Sequence, residues 1–229
     1  MPIARLQKVN REESSRLVKQ TLAVKLREEI IRGRLAPGQR IIEGSWARHF
    51  GVAQTSVREA INLLIGEGFV TKASGRSARV TSYSESDIAQ IYELRGALEG
   101  YAARLAAERQ ADVTPLQEAL KEMRRATRSG EIRLLIEADL RFHLSLCELS
   151  GNSLLLAQVR TLLVPLFAFV SMRAVQVHQT TKAWESDLDR HKRMIELIRE
   201  GDPAAAEFTV RATLQQFASR AYSIWQQAQ

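Results

Sequence analysis

The residues with the clearest chemical purpose in this 229-residue chain lie at Gln54-Thr55-Ser56 and at Arg58. An arginine can bond guanine in bidentate fashion and a glutamine can do the same with adenine, each such contact discriminating by about 1–3 kcal/mol. The hydroxyls of Thr55 and Ser56, with the free backbone N–H groups at a helix start, suit phosphate oxygens. Further along, Ser74-Gly75-Arg76-Ser77 forms a turn that places Gly75 and Arg76 at a basic tip, where Arg76 can reach a phosphate or the minor groove. Arg40 fits a surface role and a phosphate contact equally well. A second set of candidates lies in the remainder of the chain. Asp139 and His143 are four apart and share one face of a helix, while His191 comes from a later one. Arg95 sits among Ile91, Leu94 and Leu98, where burial demands a carboxylate: either that of Glu99 at i+4 or that of a bound ligand. Asn152, Arg173 and Arg141 are weaker candidates for ligand contact.

The first set needs a frame that presents one helix end and one turn together. Residues 1–15 carry no sustained period and read as a flexible arm. From Leu17 a helix is expected, with Leu22, Leu26 and Ile30 on its apolar face and Gly33 as its stop. Pro37-Gly38 makes a turn and Arg40-Ile41-Ile42 a short extended piece. A second helix fits Ser45–Phe50, with Trp46 and Phe50 read as core. A third begins near Thr55 or Ser56, with Ser56 and Glu59 as a capping box and Val57, Ile61 and Leu64 facing inward. Phe69–Lys72 and Ala78–Thr81 read as two short strands around the basic tip. Residues 16–82 thus form a winged helix-turn-helix DNA-binding domain, in which the second helix of the turn enters the major groove.

Residues 83–229 contain no alternating strand of any length, and caps and breakers divide them into six helical stretches. These run from about Ser86 to Glu108, Thr114 to Gly130, Ile132 to Leu149, Ser153 to Val177, Lys182 to Arg199, and from the Asp202-Pro203 cap to Trp225. Thr114, Pro115 and Gln117 read as N-cap, N1 and the closing residue of a capping box. The expected fold class is therefore mainly α: an N-terminal winged helix-turn-helix plus a C-terminal antiparallel six-helix bundle, which builds its sites in its core.

Charge divides the chain in the same place. Residues 1–82 hold 15 Lys/Arg and 7 Asp/Glu, a net of +8, while the remainder holds 18 and 19, a net of −1. A compact basic module joined to a near-neutral one points to a polyanionic partner for the former. The lone Cys147 excludes an internal disulfide and reads as a small buried hydrophobe. The apolar run Leu162–Val170 contains Pro165 and is too short to span a bilayer, so no membrane partner is expected and the chain is read as cytoplasmic. A metal-dependent hydrolase on Asp139, His143 and His191 lacks a positioned general base, since Glu137 points to a different helix face, and no P-loop or Gly-x-Ser-x-Gly is present. A ligand-independent DNA-binding protein is the other rival.

Leu35-Ala36-Pro37-Gly38-Gln39-Arg40-Ile41, Phe50-Gly51-Val52 and Thr55-Ser56-Val57-Arg58-Glu59-Ala60-Ile61 resemble the GntR transcription regulators, whose usual wording around the turn is G-V-S-R-T-P-V-R-E-A-L. Ala53, Gln54 and Ser56 depart from it, and the loss of the first arginine implies a shifted base preference or weaker binding. Ile91-Tyr92-Glu93-Leu94-Arg95, Leu98-Glu99, Asp139-Leu140-Arg141-Phe142-His143, His191 to Ile195, and Gly201-Asp202 resemble the all-helical ligand domain of the FadR subfamily, called FCD, and its six-helix VanR-like group. The resemblance implies that residues 83–229 are an effector-binding and dimerisation domain. It also implies a homodimeric regulator, a repressor released from operator DNA by a small organic acid, with Arg95, Asn152, Arg173 and Thr213 as effector contacts. In metal-binding relatives Asp139, His143 and His191 would hold one divalent ion, zinc or similar, together with a further His; Thr213 stands in that place here.

Overall fold

A computed structural model describes residues 2–73 and 76–227, so Gly75 lies outside the described residues. The chain divides into two compact units, residues 1–82 and 83–229.

In the first unit α1 (Pro2–Ile31), α2 (Glu43–Phe50) and α3 (Gln54–Gly66) precede β1 (Val70–Thr71) and β2 (Arg79–Val80). α1 starts at Pro2, so residues 2–15, read as an arm, have helical backbone. No Gly or Pro interrupts that stretch, and its Arg, Glu, Gln and Leu are good helix formers; propensity alone outlines a helix there without an apolar period. The period begins where expected: Leu22, Leu26 and Ile30 are buried and meet Val57, Ile61 and Leu64 of α3 in one core. Gly51 ends α2 at φ 65, a left-handed turn that glycine makes without a Cβ penalty. Trp46 and Phe50 are half-buried and cluster with His49 at centroid distances of 5.0–5.3 Å, so they edge the core and do not fill it.

The capping box expected at Ser56 and Glu59 does not form. α3 is entered from Ala53, whose carbonyl accepts from Ser56 N at 3.0 Å, which places Ser56 inside the first turn. Glu59 instead reaches Lys19 of α1 at 3.6 Å. β1 and β2 pair antiparallel, Val70 with Val80, and the Arg40 segment adds a bridge to Arg79, which fixes the base of the wing.

The second unit is a bundle of α4 (Glu85–Glu108), α5 (Thr114–Ser129), α6 (Ile132–Leu149), α7 (Ser153–Gln176), α8 (Glu185–Glu200) and α9 (Pro203–Gln227), with a 3₁₀ turn at Thr181–Trp184. Ser84 and Asp87 make a reciprocal capping box at the start of α4. α5 is not capped by Thr114; Asp112 accepts from both its N–H, at 3.0 Å, and its hydroxyl, at 2.7 Å, and Val113 takes the cap position. Asp202 caps α9 as expected, accepting from Ala205 N at 3.0 Å. α4 packs along α9 so closely that a Cβ on Gly100 would lie 2.7 Å from Arg211 Cγ and 3.3 Å from the Glu207 carbonyl oxygen.

α7 has the length and composition of a membrane span, with a mean hydropathy of 1.9 over its most apolar window. The interrupted run Leu162–Val170 understated it, because the helix continues through Pro165. Leu155, Val159, Leu163, Leu166 and Val170 are buried within the bundle, the placement of a core helix.

Candidate functional site

Each unit holds one arrangement with chemistry of its own. In the first, the start of α3 presents Gln54, Thr55 and Arg58 as exposed side chains with Ser56 half-buried among them. The sequence did not reveal what organises them. Glu43, the first residue of α2, accepts from Gln54 Nε2 at 3.2 Å, from Arg58 Nε at 3.0 Å and from Arg58 Nη2 at 2.9 Å, all at its Oε2. The Glu43 side chain is 17% exposed and that of Arg58 52% exposed. Its hydrogen bond from Arg58 holds the Glu43 carboxyl below the usual carboxylate range. Arg76 is exposed beside the wing, with its N–H donating to the Ala73 carbonyl at 3.0 Å, and Arg40 is exposed at the bridge to Arg79.

In the second unit α4, α6 and α8 bring Arg95, Glu99, Asp139, His143 and His191 together in the core, every one of them buried. Asp139 Oδ1 lies 3.0 Å from His191 Nε2 and 3.3 Å from His143 Nε2. The outer nitrogen of each ring is held from behind. His191 Nδ1 is 2.6 Å from the Asp187 backbone carbonyl, which can only accept, so the proton sits on Nδ1 and the Nε2 lone pair faces Asp139. His143 Nδ1 lies 2.5 Å from Glu99 Oε2, and Glu99 Oε1 accepts from Arg95 Nε at 2.7 Å. This backing of ring nitrogens by carboxylate and carbonyl is the usual way proteins orient histidine metal ligands.

Asp139 Oδ1 and both Nε2 atoms are buried and lack a hydrogen-bond partner among the described residues. These three acceptors all lie within 4.8 Å of one another. Burial opposes the charge on Asp139, but the two imidazoles outweigh it and hold its carboxyl well below the usual range. Burial pulls His191 down, whereas at His143 the Glu99 charge overcomes burial and pushes it up. Two imidazole Nε2 atoms and a carboxylate oxygen facing one point form a set that a divalent cation can complete.

Beside this set is a cavity with room for about 20 Å³, roughly one water-sized body. Arg95, Asp139, Tyr92, Phe167, Trp184 and Phe217 contribute to its wall. The Arg95 guanidinium is 4.7 Å from the Tyr92 ring centroid and 5.2 Å from that of Phe167, and its Nη2 has no hydrogen-bond partner among the described residues. The ion-pair reading of Arg95 is the one observed, through Nε to Glu99, and Nη2 remains over.

The other expected contacts are elsewhere. Asn152 caps α7, its Oδ1 accepting from Leu155 N at 3.0 Å. Arg173 is half-buried in the last turn of α7, and Arg141 pairs with Glu122 at the surface. Thr213 is buried on α9 and does not line the cavity among the described residues. The sequence missed Glu43 and the Glu99–His143 contact, because each joins distant parts of the chain, and the Asp187 carbonyl, because it is a backbone atom that no residue type reports.

Known proteins share both units. Residues 18–80 match the bacterial regulatory proteins of the gntR family and residues 90–216 match the FCD domain. The chain is 30% identical over 202 residues, 85% of its length and 86% of the relative's, to the "Probable D-xylose utilization operon transcriptional repressor" of Paenarthrobacter nicotinovorans. It is 29% identical over 203 residues, covering 80% of this chain and 91% of the relative, to the transcriptional regulator LutR of Bacillus subtilis. Among solved structures, Escherichia coli McbR/YncC superposes with a TM-score of 0.73 at 20% identity over 91% of this chain and 98% of that one, a likeness of fold. The basic helix-turn-helix unit followed by a helical ligand unit thus places the chain in the GntR family, as a DNA-binding transcription regulator with an FCD domain and not an enzyme.

Proposed function

We propose that the chain is a homodimeric, cytoplasmic repressor. Gln54, Thr55, Ser56, Arg58 and the wing with Gly75 and Arg76 contact operator DNA, and Arg40 adds a phosphate contact. The second unit holds one divalent cation, zinc or similar, on Asp139, His143 and His191, and beside it a small organic acid whose carboxylate meets Arg95 Nη2. The observation that carries this reading is the set of buried atoms without a hydrogen-bond partner among the described residues: Asp139 Oδ1, His143 Nε2, His191 Nε2 and Arg95 Nη2, with Asp139 and Arg95 lining one cavity. A bound cation supplies positive charge for an acid oxygen, while Arg95 fixes the acid's orientation and Tyr92, Phe167 and Phe217 exclude water around it.

Thr213 brings a neutral hydroxyl where relatives with a fourth ligand bring imidazole, so Asp139 and the two histidines carry the set and positions remain open for water and the acid. The cavity is too small for an acid of several carbons, so binding must displace a wall. Trp184, buried in the 3₁₀ turn, is the reporter of that movement.

Metal analysis of the purified full-length protein should find about one zinc-class ion per chain, and at 100 times its Kd added zinc should stabilise the fold by about 2.7 kcal/mol. Asp139→Asn should abolish both. Titration of the zinc-loaded protein with small carboxylates should change Trp184 fluorescence and lower affinity for DNA. A chain that binds no divalent ion, and whose melting temperature no ion raises, would refute the metal centre; DNA affinity that no carboxylate alters would refute the acid.

A further inference from the structure

Glu43 is the half-buried carboxylate against which both expected base-reading side chains rest. Its placement is specific. One oxygen takes Nε and Nη2 of Arg58, which is the side edge of the guanidinium. The other edge, the end-on pair of Nη1 and the second N–H of Nη2, stays open for a bidentate guanine contact. Glu43 therefore occupies the edge that base reading does not need, and holds the chain of Arg58 straight enough to present the edge that it does. The same oxygen tethers the Gln54 amide nitrogen, leaving the Gln54 carbonyl as the outward group. Left to itself, an arginine at a helix start follows the strongest potential, that of the phosphates, and such contacts carry no sequence information. A carboxylate at its side cancels that pull and repels phosphate.

We infer that Glu43 is a specificity-determining residue of the DNA interface: it positions Arg58 and Gln54 for base edges and makes their engagement with phosphate unfavourable. This rests on the assignment of α3 as the reading helix. Removing Glu43 should raise affinity for arbitrary duplex while blunting sequence preference, the opposite of what loss of a DNA contact does. An Arg58 freed to pair with phosphate adds one released counterion, steepening the salt dependence by about one unit in the log–log slope.

The test selects binding sites from a randomised duplex pool with the full-length wild type, Arg58→Ala and Glu43→Ala, and measures each protein's affinity for an unselected duplex across salt concentrations. Glu43→Ala should lose about tenfold or more preference at the base pair whose preference Arg58→Ala also removes, and should bind unselected duplex more tightly with the steeper slope. Should Glu43→Ala not fold, Glu43→Gln decides: it keeps an acceptor oxygen but no charge, so it should retain the motif and still steepen the slope. An unchanged motif and slope in these variants, with the motif altered in Arg58→Ala, would overturn the inference and leave the reading helix in place. A motif unchanged in Arg58→Ala as well would overturn both.

Discussion

The two units each contain an arginine paired with a glutamate, and the pairs are opposites in everything but chemistry. Arg58 and Glu43 meet at 2.9 Å with the arginine half exposed. Arg95 and Glu99 meet at 2.7 Å with both side chains shut away from water. An exposed pair is screened and adds little to stability, so the contact of Arg58 with Glu43 can orient the side chain without serving the fold. A buried pair has already lost its hydration, and neither member can be stranded cheaply. The surface pair thus suits a reading head, and the interior pair suits a fixed electrostatic frame for a ligand.

The comparison can be broken most sharply at Glu99. Glu99→Ala leaves Arg95 buried without its carboxylate and withdraws the group behind His143, so it should cost about 3–5 kcal/mol in urea unfolding of the full-length chain. Replacing both members by Met and Leu should cost clearly less, because no charge is then stranded; a larger loss in the double variant would show that the pair is a net stabiliser. Asn152→Ala should cost about 1 kcal/mol through the lost cap, with the response to carboxylates unchanged. A lost response at unchanged stability would return Asn152 to the ligand site. Arg58→Ala should leave the melting temperature unaltered and remove base preference at one position, the clearest sign that this pair serves reading and not folding. The smallest effect is expected of Arg76→Ala: uniformly weaker DNA binding and a salt slope shallower by about one unit.

What the sequence made legible follows the range of the interactions concerned. Six helix spans of the bundle could be placed because their ends are local: Gly130, Gly151 and Gly201 stop helices, and Asp202 starts one. The error at Ser56 was also local, since a serine with a glutamate three residues on satisfies the capping pattern whether or not the helix has already begun. At Thr114 the neighbouring Asp112 took the bonds that the threonine was expected to make. The contacts that give the sites their character span 15 residues for Glu43 and Arg58, 44 for Glu99 and His143, and 52 for Asp139 and His191, and no period or cap reports such distances. Asp139, His143 and His191 could be grouped beforehand only through a family resemblance. The backing of His143 by Glu99 joins α4 to α6, and that of His191 comes from a backbone carbonyl, neither of which a residue pattern reports.

The contact at Gly100 bears on which parts of the bundle can yield. With no room for even a Cβ between α4 and the Glu207–Arg211 stretch of α9, these two helices are notched together. Sliding one past the other would drive the Arg211 stem into the opposing backbone, so their register is locked as a detent locks a shaft. A ligand bound as proposed would then press on the opposite wall, where the 3₁₀ turn at Thr181–Trp184 joins two helices without a comparable notch among the described residues. The register-locked wall is α4, the helix that carries Arg95 and Glu99.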